Sequence, residues 1–211
     1  MRLAHQIRRS DPIRLITHAA LLVAALAIGP SPAMADDVVI PPPVPGDLHV
    51  EEGNRAFLIG HAVGTQNYSC LPSGSGVMWT LFGPQATLFD DEGEQITTHF
   101  LSPNPDENGT LRATWQHSRD TSSVWAVAVA ISSDPSFVAP GAIPWLLLRV
   151  VGAEAGPTWG DRLTRTTFIH RVNTAGGVAP STGCSVATDI GKRVFVGYTA
   201  DYVFYRASRR D

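Results

Sequence analysis

The chain is short of four things: cysteine, charge, long apolar runs and helical periodicity. Only two cysteines occur in 211 residues, and Asp, Glu, Lys and Arg together make up 17%. The one strongly apolar run, AALLVAALAIG at residues 19–29, is cut off by Pro30 and Pro32, below the roughly 18 to 20 residues of a membrane-spanning helix. That excludes a transmembrane anchor in the mature protein. No stretch of ten or more residues repeats apolar positions at helical spacing, which argues against helices layered on a parallel sheet. The net charge of −3 has no basic run to offset it before the short tail at residues 206–210, so nucleic acid is excluded as a partner. There is no HxH or HExxH spacing and no Gly-x-Ser-x-Gly elbow, hence no motif for a metal centre or a serine nucleophile.

What is present begins with an export leader. Arg2, Arg8, Arg9 and Arg14 precede the apolar run, and Ala33-Met34-Ala35 offers the small residues of a cleavage site, so residues 1–35 read as a signal peptide. Ser10-Asp11-Pro12 stands where a twin-arginine signal has an apolar pair, which favours the ordinary secretory route. Cleavage removes those four arginines and Asp11, leaving 12 basic against 18 acidic residues. The protein is expected to be secreted or periplasmic. In that oxidising setting Cys70 and Cys184 are expected to form a disulfide.

The mature chain opens on the proline-rich stretch IPPPVP. Proline has no N–H to give a central strand, so residues 36–46 read as a linker or edge segment, followed by a single β domain at 47–211. Short β-type runs bounded by turn residues fill that domain. The clearest hairpin joins residues 86–90 to 94–100 through Asp91-Glu92-Gly93, where the glycine supplies the positive φ of a tight return. In its second run Ile96, Thr98 and Phe100 share one face, while Gln95, Thr97 and His99 share the other, which is expected to leave the core. Further strands are expected at 55–70, 78–82, 111–117, 124–131, 143–151, 164–173, 193–198 and 202–206. VWAVAVAI and WLLLRVV, apolar on both faces, read as central strands. The sum is all-β: an antiparallel sandwich, with a closed barrel as the alternative. RVNTAGGVAPSTGC, residues 171–184, lacks the Lys-Ser/Thr pair and following helix of a phosphate loop and reads as a wide corner; a loop with free anion-binding amides is the alternative.

Five motifs in order, Gly64-Thr65-Gln66-Asn67-Tyr68-Ser69-Cys70, Thr98-His99-Phe100, Ala142-Ile143-Pro144-Trp145-Leu146-Leu147-Leu148, Arg171-Val172-Asn173-Thr174 with Gly176-Gly177 and Ala179-Pro180, and Tyr198-Thr199-Ala200-Asp201-Tyr202, resemble the secreted bacterial and fungal family catalogued as domain of unknown function 3455. The resemblance covers nearly all of residues 42–206. One departure is Leu101-Ser102-Pro103-Asn104, where the family continues with Gly-Pro-aromatic. The resemblance implies architecture and export but no established activity. A malate dehydrogenase label carried by some fungal relatives finds no support: Gly74-Ser75-Gly76-Val77-Met78-Trp79 puts tryptophan where a dinucleotide loop needs its third glycine, and a β-type run follows.

The mature histidines are His49, His61, His99, His117 and His170. A catalytic site, if assembled from separate strands, is expected to use His99 with His61 and Asp90 or Asp91 across the hairpin. Of the five tryptophans, Trp115 and Trp159 are expected outside, as candidate binding surfaces. Asn67 and Asn108 open glycosylation sequons. No metal and no cofactor is expected. The expected function is a non-catalytic binding or structural role toward an envelope or extracellular polymer or a protein; a hydrolase of extracellular polymer using histidine and carboxylate is the alternative.

Overall fold

The computed structural model describes residues 39–208, so the leader and its cleavage site lie outside the described residues. Eight strands follow one another: β1 (Asn54–Ser73), β2 (Gly76–Phe89), β3 (Gln95–Asn104), β4 (Thr110–His117), β5 (Ser123–Ser132), β6 (Trp145–Glu154), β7 (Thr166–Gly176) and β8 (Arg193–Ala207). Each pairs antiparallel with its chain neighbour, and β1 also pairs with β8, closing a barrel. The all-β antiparallel expectation holds, but its leading form, the sandwich, gives way to the alternative. The reason is the length of β1. It carries β2 on one edge from His61 to Ser73 and β8 on the other from Asn54 to Ser69, so the ladder closes on itself through β1 instead of splitting into two layers.

Turn chemistry sets the local structure. At the β2–β3 return, Gly93 takes φ 82° and donates its N–H to the Asp90 carbonyl, while Asp90 Oδ1 accepts the Glu94 N–H at 2.7 Å. Alternation then fills the barrel. Leu58 and Ala62 on β1, Leu88 on β2, Trp115 on β4, Val124 and Ala126 on β5, Leu148 on β6, Ile169 on β7, and Tyr198, Ala200, Tyr202 and Phe204 on β8 form one buried cluster. Gly64 lets β1 approach β2 closely: a Cβ on it would overlap the Gln85 carbonyl oxygen and Ala86.

A second cluster lies on the other face of β6, β7 and β8. Trp145, Leu147, Phe168, Val172, Val203 and Tyr205 alternate with the inward residues and pack under Leu48, Val138, Val39 and Val44. The proline-rich lead thus lies against the outside of the barrel rather than entering its ladder. Leu48, fully buried on a short 3₁₀ turn at Gly46–Leu48, contributes about 2 kcal/mol by burial alone. Its carbonyl accepts His170 Nε2–H at 2.7 Å, and His170 Nδ1 accepts the Tyr205 hydroxyl at 2.9 Å. β6 is covered on both faces, as its sequence predicts. β5 is not: Val129 and Ile131 at its end are exposed.

Cys70 and Cys184 are disulfide-bonded with Cα atoms 5.5 Å apart, tying β1 to the β7–β8 connection. In that connection the Gly177 N–H is already given to the Gly197 carbonyl, and the Gly177 carbonyl accepts the Tyr68 hydroxyl at 2.7 Å. The glycine pair therefore behaves as a corner, packed against β8.

Candidate functional site: a cavity inside the barrel

The barrel wall is incomplete at one end. β2 pairs with β3 only between Ala86↔His99 and Phe89↔Gln95, and β4 with β5 only between Ala113↔Ala126 and Gln116↔Ser123. Beyond those rungs the β3–β4 hairpin leaves both neighbours. Pro84 lies just past the last β2–β3 rung. The hairpin is anchored elsewhere: Trp125 Nε1 donates to Ser102 Oγ at 2.8 Å, and Asn104 Nδ2 donates to the Val151 carbonyl on β6 at 3.3 Å, reaching past β5. At its tip Arg112 is held in a fork by Glu107 at 2.7 and 2.8 Å, which lowers the Glu107 pKa to about 2.

The opening leads to a cavity of about 250 Å³. Leu81, Leu101, Leu111, Ala126, Leu146 and Leu148 make its apolar wall, and His99, Trp115, Tyr202, Gln66 and Arg171 supply its polar atoms. His99 therefore does not leave the core, and Trp115 is not outside. They are 4% and 0% exposed, and their rings stack 4.1 Å apart at 9°. Alternation along β3 does separate Thr97 and His99 from Thr98 and Phe100, but closure turns the more polar face inward. The Thr114 carbonyl can only accept, so His99 Nδ1 carries the proton and donates at 2.9 Å, leaving Nε2 as a lone pair. Burial lowers the His99 pKa from 6.5 to about 3; the Thr114 bond opposes the fall and the Arg171 charge adds to it. A neutral ring of such low basicity is ill-suited as a general base near neutrality. Among the described residues no carboxylate, thiol or second imidazole lines the cavity.

Arg171 and Gln66 escape sequence reasoning. Arg171 sits between buried His170 and Val172 on β7, paired with Tyr202 and Leu146, and gives Nε and Nη2 to the Pro144 carbonyl at 3.2 and 2.8 Å. Among the described residues it makes no ion pair. Gln66 Nε2 and Trp115 Nε1 are buried donors without a hydrogen-bond partner. The Tyr198 hydroxyl lies near Gln66 but makes its bond to Tyr202 at 3.2 Å, and burial raises the pKa of both tyrosines. The one arginine of a strand whose buried positions are otherwise uncharged was the available signal, and only the register says which side it faces.

The other sequence candidates are not brought to this cavity. His61 lies in a separate cluster, bonded through Nδ1 to Asp201 at 2.7 Å and through Nε2 to Asp91 at 2.9 Å, with Asn173 Nδ2 on the second Asp201 oxygen at 2.7 Å. Carboxylates accept only, so both bonds are satisfied together by the imidazolium. The Asp201 bond is the main cause that raises the His61 pKa, burial opposes it, and Asp91 adds to it. Asp201 was missed because its direct pairing with His61 depends on the β1–β8 register. Asp90 serves the β2–β3 turn through its bond to Glu94. Trp159 is outside, 89% exposed and at φ 65°. Of the sequon asparagines, Asn67 is buried and Asn108 exposed. Among the described residues no group of three or more His, Cys, Asp or Glu side chains is placed to hold a metal, and no helix is long and apolar enough to cross a membrane.

No curated protein and no solved structure matches the chain. The resemblance read from the five motifs is matched at the level of the whole domain: residues 51–206 fit the family described as a protein of unknown function (DUF3455), and the chain belongs to that family.

Proposed function

We propose that the protein is a non-catalytic binding barrel that takes up a small, largely apolar molecule in its interior, in an exported setting. The observation that carries this reading is the apolar cavity of about 250 Å³ reached through the gap beside the β3–β4 hairpin. A dry apolar cavity of roughly 150 Å³ is enough for benzene. At interior packing density, about 0.75, the larger volume here takes about 190 Å³ of ligand, the size of a substituted bicyclic ring. Binding rather than hydrolysis is supported by the weakly basic His99 with no carboxylate beside it, and by a His61 whose two nitrogens are both engaged. The disulfide supports an oxidising compartment.

The test is titration with 2-naphthol, a neutral bicyclic probe, followed by calorimetry and by tryptophan fluorescence, since Trp115 lines the cavity. Saturable binding is expected, and Ala113→Phe and Ala126→Leu, which fill the cavity from β4 and β5, are expected to weaken it at least tenfold while the far-ultraviolet spectrum stays that of the native barrel. Absence of binding at millimolar probe, or equal binding by folded filled variants, refutes the reading.

A further inference from the structure

We infer that the ligand of the barrel cavity carries a negative group, and that Arg171 is the residue that selects it. The inference rests on the binding reading above and concerns the chemistry of the ligand.

The polar atoms of the cavity are unbalanced. Arg171 brings a permanent cation into a largely apolar chamber. Its acceptors among the described residues, the Pro144 carbonyl and the Tyr202 hydroxyl, are both neutral. Neutral acceptors orient a guanidinium but do not cancel its charge, and a part-buried charge without a counter-charge keeps a desolvation cost. The cavity-lining groups are all neutral apart from Arg171 and Arg112. Arg112 already has its carboxylate in Glu107, so the uncompensated charge is that of Arg171. His99 cannot compensate it, because an imidazole is neutral or positive. Tyr202 cannot either, since burial raises its pKa and keeps the hydroxyl protonated.

Two further donors point the same way. Gln66 Nε2 and Trp115 Nε1 belong to side chains 2% and 0% exposed, both line the cavity, and neither has an acceptor. Buried donors are nearly always paired in folded proteins, and these two belong to residues of the cavity wall, where besides the Tyr198 hydroxyl near Gln66 a bound ligand is the available acceptor. A carboxylate offers two oxygens and one negative charge, matching a guanidinium and neighbouring N–H donors. The leucine wall and stacked His99–Trp115 rings then fit a compact apolar body. The chemical class is an aromatic or short branched carboxylate, or an equivalent small organic anion.

The deciding experiment compares 2-naphthoate with 2-naphthamide, nearly equal in shape and differing in charge, by calorimetry at neutral pH on the native protein and on Arg171→Gln and Arg171→Lys. Naphthoate is expected to bind the native protein at least tenfold more tightly than naphthamide. In Arg171→Gln that preference should fall to within threefold, while Arg171→Lys retains part of it. If the amide binds the native protein as tightly as the acid, the anion inference is wrong and the barrel reading stands. If Arg171→Gln is folded and keeps the full preference, Arg171 is not the selector. If neither probe binds and 2-naphthol also fails, both readings are overturned.

Discussion

Replacing His99 by phenylalanine gives a double test of the buried neutral imidazole. The phenyl ring keeps the stack on Trp115 but leaves the Thr114 carbonyl without its donor, a loss of about 1 to 3 kcal/mol near pH 7. The wild-type protein has a second liability at acid pH. With a folded pKa of about 3 against 6.5 for an unperturbed histidine, the unfolded chain binds more protons throughout that window, so stability falls as pH drops below 6.5 and the full loss is reached near 3. At about pH 4.5 the drop traversed is roughly two pH units, worth roughly 2 to 3 kcal/mol. Phenylalanine does not titrate and escapes that loss. Urea unfolding followed by tryptophan fluorescence, with the disulfide intact, should show His99→Phe clearly less stable near pH 7 and level with wild type, or ahead of it, near pH 4.5. His117 and His170, whose pKa values burial also lowers, are present in both proteins and cancel in the difference. A stability gap that is the same at both pH values would falsify the claim that His99 is buried and neutral.

Three further outcomes are expected. Cys184→Ser should lower stability by about 4 to 5 kcal/mol in the chain-entropy account, read from the urea midpoint, because the bond closes a sequence separation of 114 residues; a loss below about 1 kcal/mol would contradict it. Gly64→Ala should cost about 1 to 3 kcal/mol by forcing β1 away from β2 at Ala86, and an unchanged thermal midpoint would show that the ladder yields there. NMR titration of the His61 ring should place its pKa above 6.5, and Asp201→Asn should bring it down more than Asp91→Asn does; the stabilisation from this cluster is present below 6.5 and lost as pH rises through the folded pKa. The reverse ranking of the two carboxylates would contradict the geometry.

How much was readable in advance divides along a physical line. Local chemistry was legible: Gly93 marked the β2–β3 hairpin, WLLLRVV marked β6 as a strand apolar on both faces, and the two cysteines had one pairing available. Features decided by distant contacts were not. Barrel or sandwich turned on whether β8 reaches β1, a pairing across the whole domain that no local pattern records. The same closure decided which face of β3 points inward, and so put His99 beside Trp115 instead of beside His61. Period-two alternation names two faces and leaves their orientation open. Arg171 and Asp201 were hidden for the same reason, since their partners come from other strands.

The detached β3–β4 hairpin leaves stretches of β2 and β5 without a ladder partner on one side, and bare strand borders invite other chains to zip onto them. Two prolines stand on the strands that part there, Pro84 on β2 and Pro103 on β3, each lacking a main-chain donor. Under the proposed binding role, the same parted wall that would admit a molecule offers other copies of the chain an interrupted template.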